Sequence, residues 1–502
     1  MRNIRKQLKN IRKKNNKIVT KEQINEYGIL LEAGQGKNIN GNMFAILKSL
    51  EYEKEWDKYE PYFVVTKDTI IKAQERFDFY GFKKVKVTIR DTEEYWKLLN
   101  TCKYIMTDNS FPTLYTKREG QIYLNTWHGT PLKYLGRSDI KNAVSLGNIQ
   151  KNYFACDYAL FPNDHTKDVF MKDYMLERMY KGYNLMADYP RNAALLNTKE
   201  EIKLKEKLGL NDKKVIAYMP TWRGTGRSAD SEKQVAIIKE KLNRIDKDLN
   251  EKEILYVNLH FLVSSALDFK DFKNIRPFPS EYETYDFLNI CDVLISDYSS
   301  VFFDFAVTNK KIILYAYDRE EYMSDKGMYM DMDTFPFPIV STEEELMEEI
   351  HSDVVEERKE FQNMYCKYAD KDIVNKILRL LIKGDKNELR LEKPEENGKN
   401  NVVYHVGNMN SQVSKELIKK IIENQNLNTT NVTLCFEGGI TPGKSEFIKE
   451  LPDDVYVYSL VKADSILFVD RIFMYLYKHT GMLKKYADKY LIREQNRLFH
   501  NI

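Results

Sequence analysis

The chain has 502 residues, of which 43% are hydrophobic and 30% are charged. This length and balance predict several folded domains and exclude an intrinsically disordered polymer. The formal net charge of +3 excludes a protein that coats nucleic acid as a polycation. The five cysteines form no Cys-x-x-Cys pair, so neither a zinc site nor a disulfide framework is expected, and a reducing compartment fits best.

Residues 1–24 form a basic, helix-prone leader. Its first 17 residues contain eight lysines and arginines and no acidic residue, and Ile4, Leu8 and Ile11 add a weak apolar stripe. One interpretation is a surface helix attracted to anionic lipid, and the other is a solvated basic tail. We expect no signal peptide and no membrane-spanning helix, because no apolar run approaches the ~18 residues that a span requires. Any membrane contact is therefore expected to be peripheral.

From Tyr27 onward, short apolar runs alternate with helical stretches. This alternation predicts a parallel sheet in an α/β domain, which we place at residues 25–188. A glycine-containing loop at 34–37 follows the first run. The predicted strands lie at 28–33, 62–65, 85–88, 104–107, 122–125 and 158–161.

A second α/β unit is predicted over residues 189–385. Residues 386–400 are charged and poor in apolar side chains, which is typical of a linker. Residues 401–502 then begin a smaller α/β extension of unknown role. The predicted strands of these two units lie at 215–219, 255–259, 293–295, 312–315, 402–406 and 432–436.

His128 is the first candidate functional residue. It follows the strand at 122–125 and precedes Gly129 and Thr130, and the glycine lets the backbone approach a ligand closely. Histidine suits general base catalysis near neutral pH. A histidine that only caps the end of a strand is the alternative. The chain contains neither a GxxxxGK[ST] nor a GxGxxG segment, so P-loop and NAD-binding sites are not expected.

Further candidates stand at strand ends of the second unit. His260 follows the run at 255–259, and together with His128 it could clamp a diphosphate across a cleft. A structural histidine is the alternative. Asp297, Ser299 and Ser300 form a strand-to-helix turn that suits a phosphate cradle or, alternatively, an ordinary helix N-cap.

A fourth group consists of Arg191, Thr221 and Arg223. Thr221 and Arg223 follow the strand at 215–219, from which an arginine can reach a phosphate in bidentate fashion. An ordinary surface arginine is the alternative.

All of these candidates except His260 fall within four ordered segments that together resemble the CDP-glycerol glycerophosphotransferases, the family of teichoic acid primases and polymerases. The resemblance covers roughly residues 25–385. The segments are Asn125–Lys133, Tyr189–Asn192, Tyr218–Arg223, and Ser296–Ser300 with Phe303–Phe305.

The resemblance implies a GT-B architecture, in which an acceptor domain and a CDP-donor domain, both Rossmann-like, face each other across a cleft. It implies transfer of glycerol phosphate or ribitol phosphate from a CDP-alditol to a hydroxyl of a teichoic-acid-like or capsular polymer, with CMP leaving. No cofactor, no metal and no nucleic acid partner is expected. The expected location is peripheral, at the cytoplasmic face of the plasma membrane, with residues 1–17 on the anionic surface.

The resemblance also assigns roles to individual residues. It implies that His128 is the general base and that His260 contacts the donor phosphates. Ser299 and Ser300 would bind the donor diphosphate, with Arg191 and Arg223 near it. Phe261 departs from the family pattern, which usually has proline after the second histidine.

Two other functions stay open at the level of sequence. A GT-B glycosyltransferase that uses a nucleotide sugar would share the architecture. A non-catalytic, membrane-associated assembly module would instead depend on the leader and residues 401–502.

Overall fold

The computed structural model describes residue 18 and residues 22–140, 142–221, 228–259, 266–325, 327–409, 411–460 and 468–489. The basic segment 1–17, Arg223 and His260 lie outside these ranges, so the predictions made for them stay predictions. No helix within the described ranges has both the length and the apolarity that crossing a bilayer requires.

The first unit is an eight-stranded sheet of order β14-β7-β6-β5-β4-β1-β2-β3, parallel throughout except for the β14–β7 pair. Its strands are β1 (Asn25–Glu32), β2 (Glu60–Val65), β3 (Lys86–Ile89), β4 (Cys102–Thr107), β5 (Ile122–Asn125), β6 (Tyr158–Phe161), β7 (Tyr183–Met186) and β14 (Arg390–Glu392). Its helices are α1 (Gly41–Tyr52), α2 (Ile70–Tyr80), α3 (Glu93–Thr101), α4 (Leu146–Ala155), α5 (Asp164–Asp173) and α13 (Ile373–Lys383).

The central strand β1 shows why continuous apolar runs form these strands. Leu30 packs into one hydrophobic core, whereas Ile29 and Leu31 pack into the other, and all three are fully buried. Successive side chains of a strand point to opposite faces, so a strand covered by helices on both sides needs apolar residues at every position.

The second unit is a six-stranded parallel sheet of order β10-β9-β8-β11-β12-β13. Its strands are β8 (Lys214–Tyr218), β9 (Glu253–Val257), β10 (Ile275–Pro277), β11 (Val293–Ser296), β12 (Lys311–Tyr315) and β13 (Ile339–Val340). Its helices are α6 (Thr198–Leu208), α7 (Ser228–Asp248), α8 (Thr284–Leu288), α9 (Val301–Phe305), α10 (Arg319–Asp325), α11 (Glu343–His351) and α12 (Lys359–Tyr365). The 3₁₀ segment Pro190–Leu196 joins the two units.

The extension contains a three-stranded parallel sheet of order β15-β16-β17. Its strands are β15 (Asn400–His405), β16 (Thr430–Glu437) and β17 (Val455–Leu460), and its helices are α14 (Gln412–Glu423), α15 (Pro442–Glu450) and α16 (Phe468–Thr480). Four shorter 3₁₀ segments complete the described elements: Gly34–Gly36, Lys54–Trp56, Phe269–Asp271 and Met332–Thr334.

The packing differs from the expected domain boundaries in two places. Helix α13, expected in the second unit, buries Ile377 and Leu381 in the same core as Ile29 of the first unit. The expected linker contains β14, where Leu391 pairs with Leu185 of β7. A short edge strand needs backbone hydrogen bonds rather than an apolar run, which is why the charged composition concealed it.

Candidate active site

The loops that follow β5 and β11 meet between the two large sheets. Gly129 of the first loop packs against Ser300 of the second, so closely that a Cβ on Gly129 would lie 2.3 Å from Ser300 Oγ. Any larger residue at this position would require the Ser300 side chain to shift, so glycine permits the approach. The structure therefore brings together the two predicted half-sites at the carboxyl ends of parallel strands, where α/β sheets bind ligands.

A strained backbone holds His128 in the first loop. Trp127 has a φ of 52°, which non-glycine residues rarely adopt. Its amide donates to Asn125 Oδ1 at 3.0 Å, and its carbonyl accepts from Asn42 Nδ2 at 3.1 Å. The indole also stacks on the His128 ring, with centroids 4.2 Å apart. These contacts fix both the backbone and the ring plane of the histidine.

The hydrogen bond of His128 determines its tautomer. Nδ1 lies 2.7 Å from the backbone carbonyl oxygen of Asp108, at the end of β4. A carbonyl only accepts, so Nδ1 carries the proton and donates it. In the neutral ring, Nε2 then has a free lone pair and is the basic atom.

Electrostatics keep this histidine neutral near neutral pH. The residue is open to solvent, yet the protein surrounding it desolvates the ring and lowers the pKa of His128 below its ordinary value, with the negative charge of Asp108 opposing the shift. Burial raises the pKa of the Asp108 carboxyl, which accepts from the Gly34 amide at 2.7 Å. His128 thus combines solvent access with crowded surroundings.

Arg191 joins the two halves instead of facing open solvent. Its Nη2 donates to the His128 carbonyl at 3.0 Å and to Asp304 Oδ2 at 2.6 Å. Tyr285 donates to the same carboxylate oxygen at 2.6 Å. Burial has the largest single effect and lowers the pKa of Arg191, but Asp304, Tyr285 and Tyr189 together outweigh it, so the pKa is raised. The arginine predicted to lie near a phosphate thus forms a buried ion pair between the first loop and α9.

Three other predicted residues are engaged in bonds within the protein. The buried Thr130 hydroxyl accepts from Asn163 Nδ2 at 3.0 Å. Thr221 donates to the Asp297 carboxylate through its amide at 2.9 Å and its hydroxyl at 2.7 Å. Thr221 and Asp297 therefore brace the loops after β8 and β11 against each other.

Ser299 and Ser300 are placed differently. Both are partly exposed at the start of α9, and within the described ranges neither hydroxyl forms a hydrogen bond. Of the predicted donor-binding residues that the structure describes, these two have hydroxyls available to a ligand.

The site also contains three residues that were not predicted from the sequence: Asp108, Asn42 and Asp304. Asp108 directly follows β4, which pairs with the strand that precedes the His128 loop, so its position after a strand was a usable signal. Asp304 lies in the segment Phe303–Phe305, which contributes to the family resemblance, but no role was predicted for it. Asn42 gave no local signal, because its partner Trp127 lies 85 positions away in the sequence.

The sequence profile of the family described as CDP-Glycerol:Poly(glycerophosphate) glycerophosphotransferase matches residues 15–383. The chain belongs to this family. It is accordingly a glycerophosphotransferase-type enzyme, as the resemblance predicted. The β15–β17 extension lies beyond the matched residues.

Relatives of this glycerophosphotransferase-type enzyme occur in Bacillus and Staphylococcus. It is 30% identical over 377 residues to the teichoic acid poly(glycerol phosphate) polymerase of Bacillus spizizenii, covering 71% of this chain and 92% of that protein. It is also 30% identical over 302 residues to the teichoic acid glycerol-phosphate transferase of Staphylococcus aureus, covering 55% and 75% respectively.

Among solved structures, the enzyme resembles the wall teichoic acid polymerase TagF, with a TM-score of 0.61 and 24% identity. The match covers 76% of this chain and 96% of that one. It confirms the predicted α/β, GT-B type arrangement of two facing Rossmann-like domains.

Proposed function

We propose that the enzyme transfers glycerol phosphate from CDP-glycerol to a hydroxyl of a teichoic-acid-type polymer, with His128 as the general base. The observation that carries the proposal is the tautomer of His128, whose Nε2 is left basic and accessible beside the second half-site. The family description names CDP-glycerol. Glycerol-phosphate relatives reach 30% identity and a ribitol-phosphate polymerase 27%, which favours glycerol over ribitol.

The reaction needs one proton transfer and one displacement at phosphorus. His128 Nε2 takes the proton of the acceptor hydroxyl as its oxygen attacks the phosphorus that bears glycerol. The new O–P bond forms while the phosphoanhydride bond to CMP breaks, and CMP leaves with the bond electrons. A histidine whose pKa is lowered is unprotonated and ready to accept at neutral pH.

The second half-site would hold the donor. Ser300 lies against Gly129, next to His128, and Ser299 precedes it in the same loop. Hydrogen bonds from their hydroxyls to phosphoryl oxygens would stabilise the charge that grows there. His260 and Arg223 are proposed to add charge to the same oxygens, on the strength of the family resemblance. Arg191 is proposed to act indirectly, by holding the His128 carbonyl against α9.

A panel of donors tests the reaction. The full chain is incubated with a lipid-linked glycerol phosphate oligomer and CDP-glycerol, CDP-ribitol or UDP-sugars, and the released nucleotide is measured. We expect CMP release with CDP-glycerol, a smaller rate with CDP-ribitol, and no transfer from UDP-sugars. Sugar transfer without CMP release would assign the chain to the glycosyltransferases instead.

The leader is proposed to bind the cytoplasmic face of the plasma membrane. Its eight cations within 17 residues are complementary to an anionic lipid surface. Each basic residue near such a surface contributes roughly 1 kcal/mol to the free energy of binding. Deletion of residues 1–17 should weaken sedimentation with phosphatidylglycerol vesicles at low salt and leave the negligible binding to neutral vesicles unchanged. Equal binding of both forms to anionic vesicles would show that the leader is a solvated tail.

A further inference from the structure

The extension is part of the first unit rather than an appended domain. Its apolar side chains, among them Val457 and Tyr458, belong to the hydrophobic core that also contains Phe154 of α4. Gln150 Nε2 donates to the Val457 carbonyl at 2.9 Å, and the rings of Phe154 and Tyr458 lie 5.4 Å apart. A Cβ on Gly147 would lie 2.6 Å from Ser459 Cβ, so the two surfaces are in close contact.

Arg137 binds the turn that enters β17. Its Nη1 donates to the carbonyls of Asp453 and Val455 at 3.0 and 2.9 Å, and its Nη2 to those of Leu451 and Pro452 at 2.9 and 3.0 Å. One guanidinium thus holds four backbone carbonyls of the extension. Only a planar fork of donors reaches so many acceptors at once.

The segment that ends at Arg137 also pairs with the second unit. The Tyr134 amide donates to the Gly327 carbonyl at 3.0 Å, and the Tyr329 amide donates to the Leu132 carbonyl at 2.9 Å. The Arg137 amide donates to the Asp173 carbonyl of α5 at 2.8 Å. Residues 132–137 therefore touch the first unit, the second unit and the extension.

His128 lies four residues before residues 132–137 in the same loop. We infer that Arg137 is a positioning residue, through which the extension fixes residues 129–137 and hence the placement of His128 opposite Ser300. This inference rests on the proposed function of His128. The path is continuous: four carbonyls anchor Arg137, the pairing with Gly327 aligns the two units, and Gly129 then contacts Ser300. A mutation far from the reacting atoms that displaces a catalytic group by about 1 Å can lower the rate roughly 100-fold.

Arg178 offers a matched control. It also binds the extension, by donating to the carbonyls of Val432 at 3.2 Å and Asp454 at 2.8 Å, and it lies 3.7 Å from the centre of the Tyr456 ring. It lies outside residues 129–137. Its loss should loosen the extension without releasing the segment that carries His128.

The test compares Arg137→Ala and Arg178→Ala in the full chain, with CDP-glycerol and a glycerol phosphate oligomer. We expect Arg137→Ala to lower kcat by at least about fivefold, toward the ~100-fold limit, with the donor KM unchanged. Arg178→Ala should keep the wild-type kcat. Equal losses in both variants, or no loss in Arg137→Ala, would overturn the inference. Arg137→Lys, which retains the cation, should give a smaller loss and replaces Arg137→Ala if that variant does not fold.

Amide hydrogen exchange supplies a readout that does not depend on activity. Exchange at the Tyr134 and Arg137 amides should accelerate in Arg137→Ala and stay slow in Arg178→Ala. Slow exchange at both amides in Arg137→Ala would overturn the positioning role. A wild-type enzyme that releases no CMP would refute the proposed function, and the exchange comparison would still decide whether Arg137 fixes the segment.

Discussion

The loops after β5 and β11 face each other across the site, yet they use their polar groups in opposite ways. In the first loop, the Asn42 and Asn125 side chains hold the backbone of Trp127, and the backbone carbonyl of Asp108 accepts from the Nδ1–H of His128, which leaves a single atom, Nε2, for chemistry. In the second loop, the Ser299 and Ser300 hydroxyls form no hydrogen bond within the described ranges. The first loop is built to present one atom in a fixed orientation, and the second to receive ligand oxygens.

Breaking the buried pair that joins the two loops should have the largest effect on stability. Asp304→Asn leaves the Arg191 charge buried without its partner, since their side chains are only 3% and 9% exposed. We expect a loss of about 3–5 kcal/mol in the free energy of unfolding, measured by urea denaturation. Glu200→Gln, which removes the exposed pair with Lys203, should cost no more than about 1 kcal/mol. Equal losses in the free energy of unfolding in the two variants would contradict the role of the Arg191–Asp304 pair in joining the loops.

Crowding the contact between the two loops should impair turnover more than stability. A methyl group on Gly129 would overlap Ser300 Oγ, so Gly129→Ala should push the loops apart and lower kcat, by up to about 100-fold. In the double variant Gly129→Ala/Ser300→Ala the overlapping Oγ atom is absent, so part of the lost kcat should be recovered. Gly443→Ala, at a position with open space around it, should leave kcat unchanged. A kcat unaffected by Gly129→Ala would show that the loops do not need this close contact.

The sheets and the location of the two loops were predictable from the sequence, because parallel strands buried on both faces are continuous apolar runs. The residue after each run lies at the edge of the sheet where ligands bind. His128 and Ser300 were found in that way. The residues that hold this site in place were not predicted, because Asn42, Asp108 and Asp304 act through contacts with residues remote in the sequence. The role of Arg191 was also hidden, because whether an arginine meets a phosphate or a carboxylate depends on the tertiary fold.

The smallest effect concerns the pH dependence within the first loop. The Asp108 charge raises the pKa of His128 against the larger effect of burial, so Asp108→Asn should lower that pKa further. The base is active when unprotonated, and its ordinary pKa of 6.5 is already lowered in the enzyme. The acid limb of kcat/KM should therefore lie below pH 6.5 and move to still lower pH in Asp108→Asn. A limb that moves to higher pH would contradict the assignment of His128 as the titrating base.

The central claim, that His128 Nε2 removes the acceptor proton, is tested most directly by single-turnover CMP release in His128→Gln. The glutamine amide can still donate to the Asp108 carbonyl, but it cannot accept a proton at neutral pH. We expect the chemical step to slow by about 10²–10⁴-fold while CDP-glycerol binds with unchanged affinity. An unchanged rate, or a loss confined to donor binding, would contradict the claim.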